Sequence, residues 1–116
     1  LKENNINLNK YEKGAFGEML RRYVCFHNGE NMEDIKLWSL MRVNNNTQNM
    51  IKRGLILSYG TYTEENVTGW YYPTKQAIQE ILIPAYNNYL SDTGRHKDEM
   101  YDFDSYNGYV YKLERQ

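Results

Sequence analysis

The chain has a single cysteine, Cys25, in 116 residues. One thiol excludes an internal disulfide and any zinc cage built from cysteines, and Cys25 lies near the apolar face of the first helical stretch, where a packed thiol is expected. Histidine is almost as scarce. His27 and His96 fall in predicted turns, with no second histidine or cysteine at metal-ligand spacing, so neither zinc nor a histidine-assisted nucleophile can be assigned. No apolar run approaches the roughly 20 residues that a membrane helix requires, and the longest, Ile81 to Ile83 with its neighbours, is interrupted by Pro84. The opening residues, Leu1 to Lys10, are polar and Asn-rich and do not read as a secretory signal, so the cytoplasm is the expected compartment. A glycine-rich phosphate loop is missing. The acidic cluster Asp98, Glu99, Asp102 and Asp104 lacks the glycine and spacing of a calcium loop and reads as a solvated segment. No catalytic residue, metal or cofactor is therefore expected.

Strong net charge is also lacking. The value of −1 argues against a protein that simply coats nucleic acid. Its distribution is uneven. From Lys10 to Ile56 there are eight cations (Lys10, Lys13, Arg21, Arg22, Lys36, Arg42, Lys52, Arg53) against five acids (Glu12, Glu18, Glu30, Glu33, Asp34). From Ser91 onward acids outnumber bases. A mildly basic front with an acidic tail is compatible with a DNA-facing surface. The glycosylation patterns at Asn45-Asn46-Thr47 and Asn66-Val67-Thr68 read as chance matches in an Asn-rich chain.

What is abundant is tyrosine. Twelve tyrosines against three phenylalanines suit half-buried sheets and interfaces, because the ring packs while the hydroxyl stays wet. The length and the apolar fraction of 41% fit one globular domain. Tyr11, Ala15, Phe16, Met19, Leu20, Tyr23 and Val24 repeat with helical period, and Glu12, Lys13, Glu18, Arg21 and Arg22 occupy the expected solvated side. That helix should stop near His27-Asn28-Gly29. Asn31 should cap a second helix with Ile35, Leu37, Trp38 and Met41 on its buried stripe, and Trp38 and Trp70 are expected in the core. A third, short helix follows, ending at Gly54 with Lys52 and Arg53 in its last turn. Leu55 to Thr63 then alternates as a strand, Glu64-Glu65-Asn66 is a turn, and Val67 to Tyr72 returns. Thr74 caps a helix with Ala77, Ile78, Ile81, Leu82, Ala85, Tyr86, Tyr89 and Leu90 on one face, which Pro84 should kink or split. Tyr106, Tyr109, Val110, Tyr111 and Leu113 suggest a last strand, with Asn107-Gly108 as a tight turn.

This order resembles the winged helix-turn-helix family of small bacterial and viral regulators. The likeness lies in Lys52-Arg53-Gly54-Leu55-Ile56 as the exit of a recognition helix, Tyr59 to Tyr72 as the wing, and Tyr72-Pro73-Thr74-Lys75 with Gln76-Ala77-Ile78 as the wing-to-helix junction. It implies an α+β winged helix with a three-helix core, a two-stranded wing and an additional C-terminal helix. Residues 1–9 would form a polar arm, 10–90 the domain, and 91–116 an acidic, Tyr-rich extension. The resemblance further implies sequence-directed binding of double-stranded DNA by a small transcriptional regulator, of a size found in viruses and mobile elements. The helix at about 44–53 would enter the major groove, presenting Asn44, Asn45, Gln48, Asn49 and Lys52, with Arg53, Arg42 and Lys75 available for the phosphate backbone. The helix from Thr74 to Leu90 has more apolar residues than one small core needs and would supply a homodimer interface. Glu64 and Glu65 depart from the family pattern, which favours a basic wing tip. They leave room for a winged helix that binds a host protein as an adaptor or inhibitor instead of DNA.

Overall fold

The computed structural model describes residues 7–61, 68–96 and 103–111, and it is an α+β fold built around a small three-stranded antiparallel sheet. The first element, α1 (Lys10–Phe26), starts at a capping box. Asn9 Oδ1 accepts from the Glu12 amide at 2.8 Å, and Glu12 returns the bond to the Asn9 amide at 3.0 Å. It stops where expected, at the left-handed residues Asn28 and Gly29 (φ 46° and 85°). Phe16, Met19, Leu20 and Val24 have no exposed surface, and each such side chain contributes about 2 kcal/mol by leaving water. Leu8, assigned by sequence to a polar arm, is buried among them.

The stretch after α1 departs from expectation. Asn31 does act as a cap, accepting from the Glu33 amide at 3.0 Å, but it caps only one 3-10 turn, Met32–Asp34. The chain then extends into β1 (Ser39–Arg42), which pairs antiparallel with residues 68–71, Ser39 opposite Tyr71 and Met41 opposite Gly69. The apolar residues here fit both periods. The alternation of buried Leu37, Ser39 and Met41 with exposed Leu40 and Arg42 settles it for a strand. In place of the expected second helix, residues 32–42 hold one 3-10 turn and β1.

The short helix α2 (Asn45–Lys52) leads through Gly54 into β2 (Ile56–Thr61), and β3 (Thr68–Pro73) returns between β1 and β2, so the sheet order is β1-β3-β2. Residues 62–67, including the turn at Glu64-Glu65-Asn66, lie outside the described residues. A bulge between Ser58 and Gly60 makes Tyr59 the extra residue of β2. One sheet face carries Met41, Ile56 and Tyr71 into the core. The other carries Leu40, Leu57, Trp70 and Tyr72. Trp38 lies beside that outer face, tilted against Tyr59 at 4.0 Å and edge-on to Tyr72 at 4.6 Å between ring centroids. Both tryptophans, expected in the core, are half-buried there instead.

Thr74 caps the next helix as expected, accepting from the Ala77 amide at 3.1 Å. Helical structure runs from α3 (Lys75–Ala77) through a π-helical segment (Ile78–Leu82) into α4 (Ile83–Thr93). The wide turn, in which the Ile83 amide reaches back to the Ile78 carbonyl, accommodates Pro84, whose ring and missing N–H do not suit a regular helix interior. The tail is a further correction. Residues read as a last strand with a turn at Asn107-Gly108 form α5 (Phe103–Tyr111), of which Tyr106 and Val110, one helical turn apart, are buried. Helix α5 crosses α1 at Gly17, where an added Cβ would stand 1.9 Å from Asn107 Oδ1 and 3.0 Å from its Cα. Only a residue without a side chain permits that approach.

Candidate nucleic-acid interface

Helix α2 is held from behind and open in front. Asn44 Oδ1 accepts from the amides of Asn46 and Thr47 at 2.9 and 3.1 Å, and Thr47 Oγ1 accepts from the Asn44 amide at 3.0 Å. The same hydroxyl lies 3.1 Å from the Arg42 carbonyl, tying the helix start to the end of β1. Thr47 and Met50 are fully buried. At the other end Gly54 takes φ 75°, and the Leu55 amide bonds to the Met50 carbonyl at 2.9 Å. Glycine is needed at that turn because the left-handed region strains other residues.

With Thr47 and Met50 anchored, the helical period turns Asn45, Gln48, Asn49 and Lys52 outward, and all four are exposed. None of their side chains has a hydrogen-bond or ion-pair partner among the described residues, and the first turn holds no acid. Arg42 is exposed beside the start of α2. Lys75 is exposed near its end, because the neighbouring Thr74 hydroxyl donates to the Gly54 carbonyl at 2.6 Å.

Two of the residues expected to contact DNA have other tasks. Asn44 is the cap just described. Arg53 donates to Glu12 Oε1 at 2.9 Å and to the Asn7 carbonyl at 2.8 Å. Glu12, placed by periodicity on the solvated side of α1, is 2% exposed and held by the guanidinium. Its role was detectable, since Asn9 three residues before Glu12 has capping-box spacing. The ion pair with a residue 41 positions away leaves no local signal. Sequence reasoning also missed Asn46, whose Oδ1 receives Asn9 Nδ2 at 3.5 Å.

Tyr11 is half-buried within electrostatic reach of Arg42. Burial raises its phenol pKa above 10.0, a rise reinforced by Tyr71 and opposed by a hydrogen bond to Asn44 and by the Arg42 charge. His96, far from α2, accepts from the Gly29 amide at Nε2 (2.8 Å), so Nδ1 carries the proton that points to the Tyr86 hydroxyl (2.8 Å). Among the described residues no three His, Cys, Asp or Glu side chains group as metal ligands, and no helix is long and apolar enough to cross a membrane. The apolar face of the Thr74–Leu90 helix is occupied within the chain. Ala77, Ile78, Ile81, Leu82, Ala85 and Tyr89 are buried, leaving only Ile83, Tyr86 and Leu90 half-exposed.

The class defined by this arrangement is an α+β domain with a three-stranded antiparallel sheet and one short helix whose polar side faces outward. No family model, curated protein or solved structure matches the chain.

Proposed function

We propose that the protein binds double-stranded DNA through the outward side of α2, in a winged-helix-like arrangement with the β2–β3 hairpin as its wing. One observation carries this reading: Asn45, Gln48, Asn49 and Lys52 project together from a helix anchored on its opposite side. Asn and Gln amides match adenine edges in the major groove, and a lysine reaches phosphate or guanine. Arg42 and Lys75 flank the helix and serve the backbone; Arg53 is excluded, because its charge is committed to Glu12. A helix of eight residues reads few base pairs, so a regulator of this kind works with two copies on a two-part site.

Three phosphate contacts in each copy, from Arg42, Lys52 and Lys75, give a log–log salt slope of about −3 per bound copy. Binding to a pool of duplex DNA at several salt concentrations measures it. Lys52→Glu should weaken binding by about tenfold or more and flatten the slope, whereas no binding at low salt, or binding indifferent to salt, ends the proposal. A protein-interaction module is the second reading. It is favoured by the outer face of the sheet, where Leu40, Leu57 and Tyr59 are 39%, 45% and 67% exposed.

A further inference from the structure

Strand β1 pairs with β3 on one side only, and its other edge borders α1 across a groove of about 430 Å3. The walls are Lys10, Tyr11, Gly14 and Ala15 of the helix and Leu40 to Arg42 of the strand. Two features make the groove wide enough for another chain. The helix turns its small residues, Gly14 and Ala15, to the strand, and a Cβ added at Gly14 would meet nothing within 4 Å. The backbone groups of an edge strand that face away from the sheet seek partners.

We infer that this groove takes an extended, acidic peptide from a partner protein, added as a fourth strand beside β1. The charge at the groove sets the acidity. The side chains of Lys10 and Arg42 are exposed and make no hydrogen bond or ion pair among the described residues, while the one acid in the lining, Glu18, is paired with Arg22 at 3.1 Å. The pleat sets the pattern. Residues of the added strand that point to the outer face meet Leu40 and Arg42, so an apolar and an acidic residue suit those positions. Residues that point inward meet Gly14 and Ala15, where a medium-sized aliphatic side chain fills the space. Main-chain hydrogen bonds supply the affinity and these alternate contacts the selectivity.

The groove shares Arg42 with the proposed DNA surface but none of the outward residues of α2, so variants at Gly14 and Lys52 test the two separately. A library of random dodecapeptides displayed on phage is selected against the full chain, and the enriched peptides are synthesised. Acidic sequences with alternating aliphatic residues should emerge, shifting the NMR amide signals of residues 39–42. Gly14→Leu puts a side chain into the groove from a position whose Cβ has free space, and should weaken these peptides by about tenfold or more, as should N-methylation of alternate peptide amides. DNA binding by Gly14→Leu should be unchanged, and peptide binding by Lys52→Glu should be unchanged. Selection of no peptide, or of peptides that bind Gly14→Leu or tolerate N-methylation as well as before, overturns the inference. So does a shift pattern centred on Tyr59 instead of the β1 edge.

Discussion

Glu12 is a carboxylate out of water whose oxygen is shared by a backbone amide and the Arg53 guanidinium. Removing one partner of such a pair leaves a charge without compensation. Arg53→Met should therefore destabilise the fold by about 2 kcal/mol, a figure held below that of a fully buried pair because Arg53 itself is 40% exposed. Urea unfolding measures the loss. Glu12→Gln, which keeps an acceptor for the Asn9 amide, should cost less than Arg53→Met. Equal losses would mean that leaving the buried carboxylate without its cation carries no extra cost. The same residues separate folding from recognition, since folded Arg53→Met should bind DNA with an unaltered salt slope. At the start of α2, Asn44→Ala removes the acceptor for two amides and should cost about 1 kcal/mol, read as a lower unfolding midpoint.

Between elements, α1 and α5 approach closely at Gly17. Gly17→Ala would push against a backbone atom as well as a flexible side chain, so the helices must separate. A loss of about 1–3 kcal/mol is expected, together with faster hydrogen exchange at Tyr106 and Val110. Gly14→Ala, three residues earlier on the same helix but facing open space, is the control and should be neutral or stabilising. This packing explains one misreading. Tyr106, Tyr109 and Val110 suit a strand by composition, but burial of Tyr106 and Val110 against their neighbours makes the helix. Residues 35–41 were misread in the opposite direction, because Ile35, Trp38 and Met41 satisfy helical spacing. Pairing with β3 overrode it. By contrast α1, α2, the hairpin strands and the Thr74 cap were legible, each marked by a cap, a glycine stop or an unambiguous period.

For the molecule as a whole, several tyrosines couple stability to alkaline pH. Burial raises the Tyr23 phenol, with Tyr86 and Glu30 adding to the rise, and burial raises Tyr86 and Tyr11. A raised folded pKa means that the unfolded chain releases its phenolic proton first. Their contribution is therefore complete below the ordinary value of 10.0 and is lost as pH climbs through the folded values. Thermal midpoints should hold from neutral pH to about 9.5 and then fall, with part of the tyrosine absorbance titrating late. Tyr23→Phe should narrow that alkaline fall. An unchanged alkaline fall in Tyr23→Phe would show that this phenol plays no part in it.

The amino-acid sequence by itself determined the α+β composition, the helix before Gly29, the short helix between Asn44 and Gly54, and the strands of the hairpin, because caps, stops and periodicity act within a few residues. Only the tertiary structure decided that residues 39–42 join the sheet, that 103–111 coil against α1, and that Arg53 turns inward to Glu12. Those outcomes depend on partners about 30 to 90 positions away, and an apolar or charged residue carries no mark of which distant neighbour will desolvate or neutralise it.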